Sequence, residues 1–122
     1  MTMEKVTFDI ETQRAAAIAT ASAAWETLEL RRTIARAQAE VSGLDLPRPT
    51  LEAVNRSFDA AAREAAEPKP DRYRVAEHLG TAARTLEEAG ALGGDAGDAL
   101  LQALRRATQL LGPAGLAAIG IL

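Results

Sequence analysis

No glycine or proline occurs before Gly43, and over some thirty residues ahead of it apolar positions recur at helical spacing. Ile18, Ala21, Trp25 and Leu28 follow a 3-4-3 pattern, while Leu30, Ile34, Ala37 and Val41 follow 4-3-4. At about 100° per residue the second set lies nearly opposite the first. The spacing therefore predicts one long helix, starting near Asp9 or Thr12, that spans roughly 45–50 Å at 1.5 Å per residue. Either it bends near Leu28–Leu30, or its two halves bury opposite faces against different neighbours.

The segment GLDLPRPT breaks this helix, with Gly43 suited to the position after its end. Thr50 is placed to cap a second helix, with Glu52 in the first turn and Leu51, Val54, Phe58, Ala61 or Ala62, and Ala65 as the inward stripe. Glu52 with Arg56 and Asp59 with Arg63 are four apart and mark a solvated face. EPKPD ends that helix and offers Asp71 as the next cap. Val75, Leu79, Ala82, Leu86 and Ala89 give a third helix ending near Gly90. After a glycine-rich turn, Asp95 or Asp98 starts a fourth, with Leu100, Leu104, Ala107 and Leu111 inward and Gly112-Pro113 as its stop.

Both ends of the chain pose a choice. EKVTFDI alternates, with Val6, Phe8 and Ile10 on one side, which is strand periodicity. A lone strand needs a mate for its backbone groups, such as its copy in a second subunit. The favoured expectation is an arm, over residues 1–10, whose Phe8 and Ile10 pack on the first helix. From Ala107 to Leu122 there are sixteen residues without charge, interrupted at Gly112-Pro113. That is short of the roughly 20 a bilayer span takes, and it lacks the basic polar face of an interfacial anchor. The favoured expectation is a short fifth helix closing the core, with Leu116, Ile119, Ile121 and Leu122 covered.

Composition sharpens this picture. Of 122 residues, 28 are alanine, 15 leucine and only four aromatic, so the core must come from close helix approach rather than large rings. Net charge is −3 with no long run of one sign, which argues against a basic arm for nucleic acid. The absence of cysteine excludes disulfides, thiolate metal sites and a cysteine nucleophile. The start MTMEKVTFDIE lacks a secretory-signal layout, and a cytoplasmic location is the default expectation.

Two stretches carry candidate chemistry. In RYRVAEHLGTAARTLEEAGA, residues 72–91, Val75-Ala76, Leu79-Gly80 and Leu86 sit at offsets that resemble the helix-turn-helix of DNA-binding regulators. That resemblance implies two short helices crossing at Ala76 and Gly80, the second presenting Arg84 to DNA. Thr81 and Ala89 depart from the family's larger apolar residues, and Glu87 and Glu88 would face phosphates. Arg72-x5-His78 is similar to the R-x4–6-H motif of HEPN ribonucleases, and the resemblance implies metal-independent RNA cleavage at a dimer cleft. Histidine would exchange the proton and arginine would stabilise phosphate charge. Tyr73 replaces the family's usual polar residue, and residues six apart lie about 120° from one another on a helix. No E-x-x-H pair, P-loop lysine or nucleophile elbow is present, and no metal or cofactor is implied.

Taken together, the sequence predicts a single all-α domain over residues 1–122: an antiparallel bundle of four helices with a long first helix and a short apolar C-terminal helix. The expected function is a non-enzymatic protein–protein interaction module or adaptor, a homo-oligomer with a dimer favoured. Ile18, Ala21, Trp25 and Leu28 are the expected contact stripe, because Trp25 among small residues suits a helix–helix anchor. The DNA-binding regulator and the HEPN-like ribonuclease are the alternatives.

Overall fold

The computed structural model describes residues 26–119, all of whose regular structure is helical. The helices are α1 (residues 26–42 of the described chain), α2 (Arg48–Ala65), α3 (Arg72–Glu88), α4 (Gly94–Leu111) and α5 (Pro113–Ile119). The expected arm at 1–10, the start of the first helix, and Ile121 and Leu122 lie outside the described residues.

Most larger members of the inward stripes of α1 to α4 are buried, with Leu51 of α2 only half-buried. Leu30, Ile34, Ala37 and Val41 of α1 enter the core with Val54, Phe58, Ala61 and Ala65 of α2. Leu100, Leu104, Ala107 and Leu111 of α4 do the same. Thr33, the one buried polar residue of this core among those described, donates its hydroxyl to Glu29 O at 2.8 Å, so its burial leaves no orphan. α3 buries Val75, Ala76, Leu79, Gly80, Ala82, Ala83 and Leu86, a face too broad for one neighbour. It packs on α2 at one side and on α5 at the other, while α4 supports α5 and touches α3.

Close approach explains where α5 sits. A methyl group built on Gly80 would lie 2.5 Å from the carbonyl oxygen of Ala118, so α3 and α5 meet backbone to side-chain-free backbone. Gly115 stands in the same relation to Thr108 O, also at 2.5 Å, which ties α5 to α4. The sharp reversal between α4 and α5 is made at Gly112, whose φ of 64° is open to glycine at no steric cost, and Pro113 then opens α5.

Residues 72–91 therefore do not form two helices crossing at Gly80. α3 runs unbroken from Arg72 to Glu88, and Gly80 serves contact with α5 instead of a turn. Asp71 caps α3 as expected, its carboxylate accepting from Tyr73 N at 3.0 Å and Arg74 N at 3.3 Å. The helix closes with Gly90 N donating to Glu87 O and Ala91 N to Leu86 O, the paired bonds of a Schellman end. Ala89 lies past that end and is exposed.

Other termini differ from expectation. α2 begins at Arg48 with Pro47 before it and no side-chain cap, so Thr50 lies inside the helix and Glu52 beyond its first turn. Pro49 fits that first turn because its missing N–H has no intrahelical partner to lose. Glu52 accepts from Arg48 at 3.3 Å, and Asp59 from Gln38 of α1 at 2.8 Å. α4 starts at Gly94 after Gly93, also without a side-chain cap; Asp95 sits in the first turn, where a carboxylate favours the helix dipole, and Asp98 is further in. Gly43 does not adopt a left-handed conformation: α1 ends through bonds from Gly43 N to Glu40 O and Leu44 N to Val41 O, both 3.1 Å. On α5, Ile119 is buried but Leu116 is 69% exposed, contrary to the expectation that both are covered. Ala114, Gly115, Ala118 and Ile119 share the inward arc of that helix, and Leu116 falls outside it.

Gly80→Ala is expected to destabilise the fold by about 1–2 kcal/mol in urea unfolding, because displacing Ala118 outweighs the roughly 1 kcal/mol that alanine gains over glycine in a helix. Gly43→Ala, which meets nothing closer than 3.5 Å, serves as the neutral comparison. A Gly80→Ala protein as stable as that comparison would show that the α3–α5 crossing is not tight.

Candidate functional site

α1 has two faces. The Leu30–Val41 stripe is sealed in the core, whereas Leu28, two residues before it and about 200° round the helix, is 42% exposed. Leu28 thus belongs to the reverse side, as the offset stripes require. Its companions Ile18, Ala21 and Trp25 lie outside the described residues. From Leu28 the solvent-facing ridge continues through Arg32, Ala35 and Ala39, all exposed.

This ridge borders a groove of about 350 Å³ between α1 and α2, lined by Leu28, Arg31, Arg32, Ala35 and Ala62. Arg32 makes an exposed ion pair with Glu29 at 3.4 Å, and Arg31 has no ion pair or hydrogen bond among the described residues. The floor is therefore small and apolar and the rim basic. The single-residue signal for this groove was present in the sequence: Ala35 lies seven residues after Leu28 and Ala39 four further on. Alanine says little in a chain that holds 28 of them, which is why the first stripe reads as ending at Leu28.

Arg72 is drawn to another task. It donates to Glu26 at 3.0 Å, closing one side of a cleft of about 160 Å³ whose other walls include Leu30, Pro70, Val75 and Leu110. The pair joins the described start of α1 to the start of α3. His78 is half-buried on α3, six residues on and about 120° round the helix, so the two do not share a face. Arg84, Glu87 and Glu88 are all exposed on α3. Arg84 lines a third groove, of about 480 Å³, with Tyr73, Glu77 and Thr81 on the α3 wall and Ala114 and Ala118 on the α5 wall.

Among the described residues no group of three or more histidine or carboxylate side chains is placed to hold a metal ion. None of the described helices is long and apolar enough to cross a membrane.

Both partners of the Arg72–Glu26 pair are about half exposed, at 51% and 45%, so water screens them. A double-mutant cycle with Arg72→Ala and Glu26→Ala is expected to give a coupling below about 1 kcal/mol. A coupling of several kcal/mol would mean that the pair is sealed from solvent.

The chain matches no protein-family model, no curated protein and no solved structure.

Proposed function

We propose that the chain is a non-enzymatic interaction module that associates with its own copies through the long first helix of an antiparallel four-helix bundle. Ile18, Ala21, Trp25 and Leu28 are the contact stripe and a dimer is the favoured product. One observation carries this reading: Leu28 is 42% exposed on the side of α1 away from the buried Leu30–Val41 stripe. A leucine and two alanines in line on the free side of a helix whose other side is already satisfied have the form of a helix-in-groove surface. The alanines let a second backbone come close, and the exposed rim arginines fix orientation more than they add affinity. A second copy suits the site better than a small molecule, because the groove is open and not an enclosed pocket.

Leu28→Asp is expected to shift the protein in sedimentation velocity toward single-chain mass, since the partner would have to bury a carboxylate against apolar surface. Its helical content should stay largely unchanged, because position 28 lies outside the buried core of the isolated chain. Trp25→Glu is expected to act the same way. An assembly indifferent to both substitutions, or an unaltered chain that is monomeric at every concentration, would overturn the proposal.

A further inference from the structure

A different surface, on α3, carries a charge pattern that the first-helix reading does not use. Arg74, Glu77, Thr81, Arg84 and Glu88 are all exposed, and their 3-4-3-4 spacing keeps them on one strip of the helix. Read along the chain the strip runs positive, negative, neutral, positive, negative. Thr81 is its midpoint: Arg74 precedes it by seven residues and Glu88 follows by seven, while Glu77 precedes it by four and Arg84 follows by three. Reversing the helix about Thr81 therefore exchanges every charged position with one of opposite sign.

We infer that this ridge is an isologous contact, in which a second copy lays its own α3 antiparallel across it about a two-fold axis at Thr81. In a two-fold interface each contact occurs twice, once from each side. Arg74 then faces Glu88 of the partner subunit and Glu77 faces Arg84 of the partner subunit, with both contacts repeated in reverse. A parallel arrangement would set Arg74 against arginine and Glu77 against glutamate, so the pattern selects direction as well as partner.

The centre of the ridge suits such a contact. Thr81 donates its hydroxyl to Glu77 O and Thr85 donates to Thr81 O, each at 3.0 Å, so neither hydroxyl requires a partner from the other chain. Glu77, Arg84 and Glu88 form no ion pair among the described residues, and Arg74 only a long, exposed one to Asp71 at 3.8 Å. The charges are thus free to pair across the axis. Apolar area comes from Tyr73, 63% exposed, and from the alanine wall of the adjoining α3–α5 groove. Exposed ion pairs contribute little affinity, so the contact is weak, oriented and sensitive to ionic strength.

The test uses the full chain carrying Leu28→Asp, so that the first-helix surface is silenced and the two contacts are read separately. In sedimentation equilibrium at low salt, Glu77→Arg is expected to raise the dissociation constant about tenfold by turning two attractive pairs repulsive. The double variant Glu77→Arg/Arg84→Glu is expected to restore it to within about twofold, because the exchange preserves complementarity. The chain has no cysteine, so Thr81→Cys gives a second readout: mild oxidation is expected to produce a disulfide-linked dimer, whereas Arg106→Cys on α4 does not. Loss without rescue in the double variant, no response to charge reversal, or cross-linking no faster at position 81 than at 106 would each overturn the inference. Failure of the first-helix proposal would appear elsewhere, as an unaltered chain whose mass does not respond to Leu28→Asp.

Discussion

Helix backbones that nearly touch are the constraint on which this fold rests. A core in which nine of the 21 buried apolar residues among those described are alanine removes less area per residue from water than one of larger side chains, so water is excluded only where the helices come close. Gly80 against Ala118 and Gly115 against Thr108 are the points at which that requirement leaves no room even for a methyl group. The larger side chains, Phe58, Leu79, Leu86, Leu100 and Leu104 among them, then fill the space between these contacts. α3 sits at the centre because its small residues on one flank and leucines on the other let it serve two neighbours at once.

The same economy shapes what is left outside. A helix that satisfies its core with one narrow stripe has its reverse side to spare, and α1 carries Leu28, Ala35 and Ala39 there. α3 spends its apolar residues on the interior and keeps an exposed ridge of alternating sign. These two surfaces differ in kind. The first offers apolar contact with basic edges; the second offers orientation through charge and modest apolar area. In the proposals made above, these surfaces would join copies of the chain in two distinguishable ways, one governed mainly by burial and the other by ionic strength.

How far the sequence reveals this depends on which physical signal a residue emits. Large apolar residues at helical spacing announce their faces clearly, and Leu30, Ile34, Val54, Phe58, Leu79, Leu100 and Leu104 all lie where their periodicity puts them. Asp71 is equally plain, since a short carboxylate before an amphipathic run has one obvious use. Contacts chosen for smallness are mute. Gly80 reads only as a tolerated glycine inside the third helix, or as a crossing point in the helix-turn-helix resemblance, because hydropathy carries no record of the α5 backbone lying across it, and Leu116 reads as core because its size says nothing about which arc of α5 the glycines and alanines claim. Helix starts without a side-chain cap mislead in the same way: Pro49 looks like a barrier before Thr50 yet belongs to the first turn of α2. Of the candidate contact stripe, Leu28 was legible through its offset from Leu30. The basic rim of Arg31 and Arg32 became visible only when α1 and α2 were set beside one another, and the charged ridge of α3 only once Arg74, Glu77, Arg84 and Glu88 were seen to lie exposed.

The most direct measurement is the solution mass of the unaltered chain over a wide range of concentration, by sedimentation equilibrium at high salt, where the charge-dependent α3 contact is screened. A mass that climbs from 12.9 kDa toward twice that value with increasing concentration is the result expected of a helix with a spare apolar side. A mass fixed at 12.9 kDa throughout would mean that the free side of α1 meets only water or its own chain, and the claim that this side exists for association would be wrong.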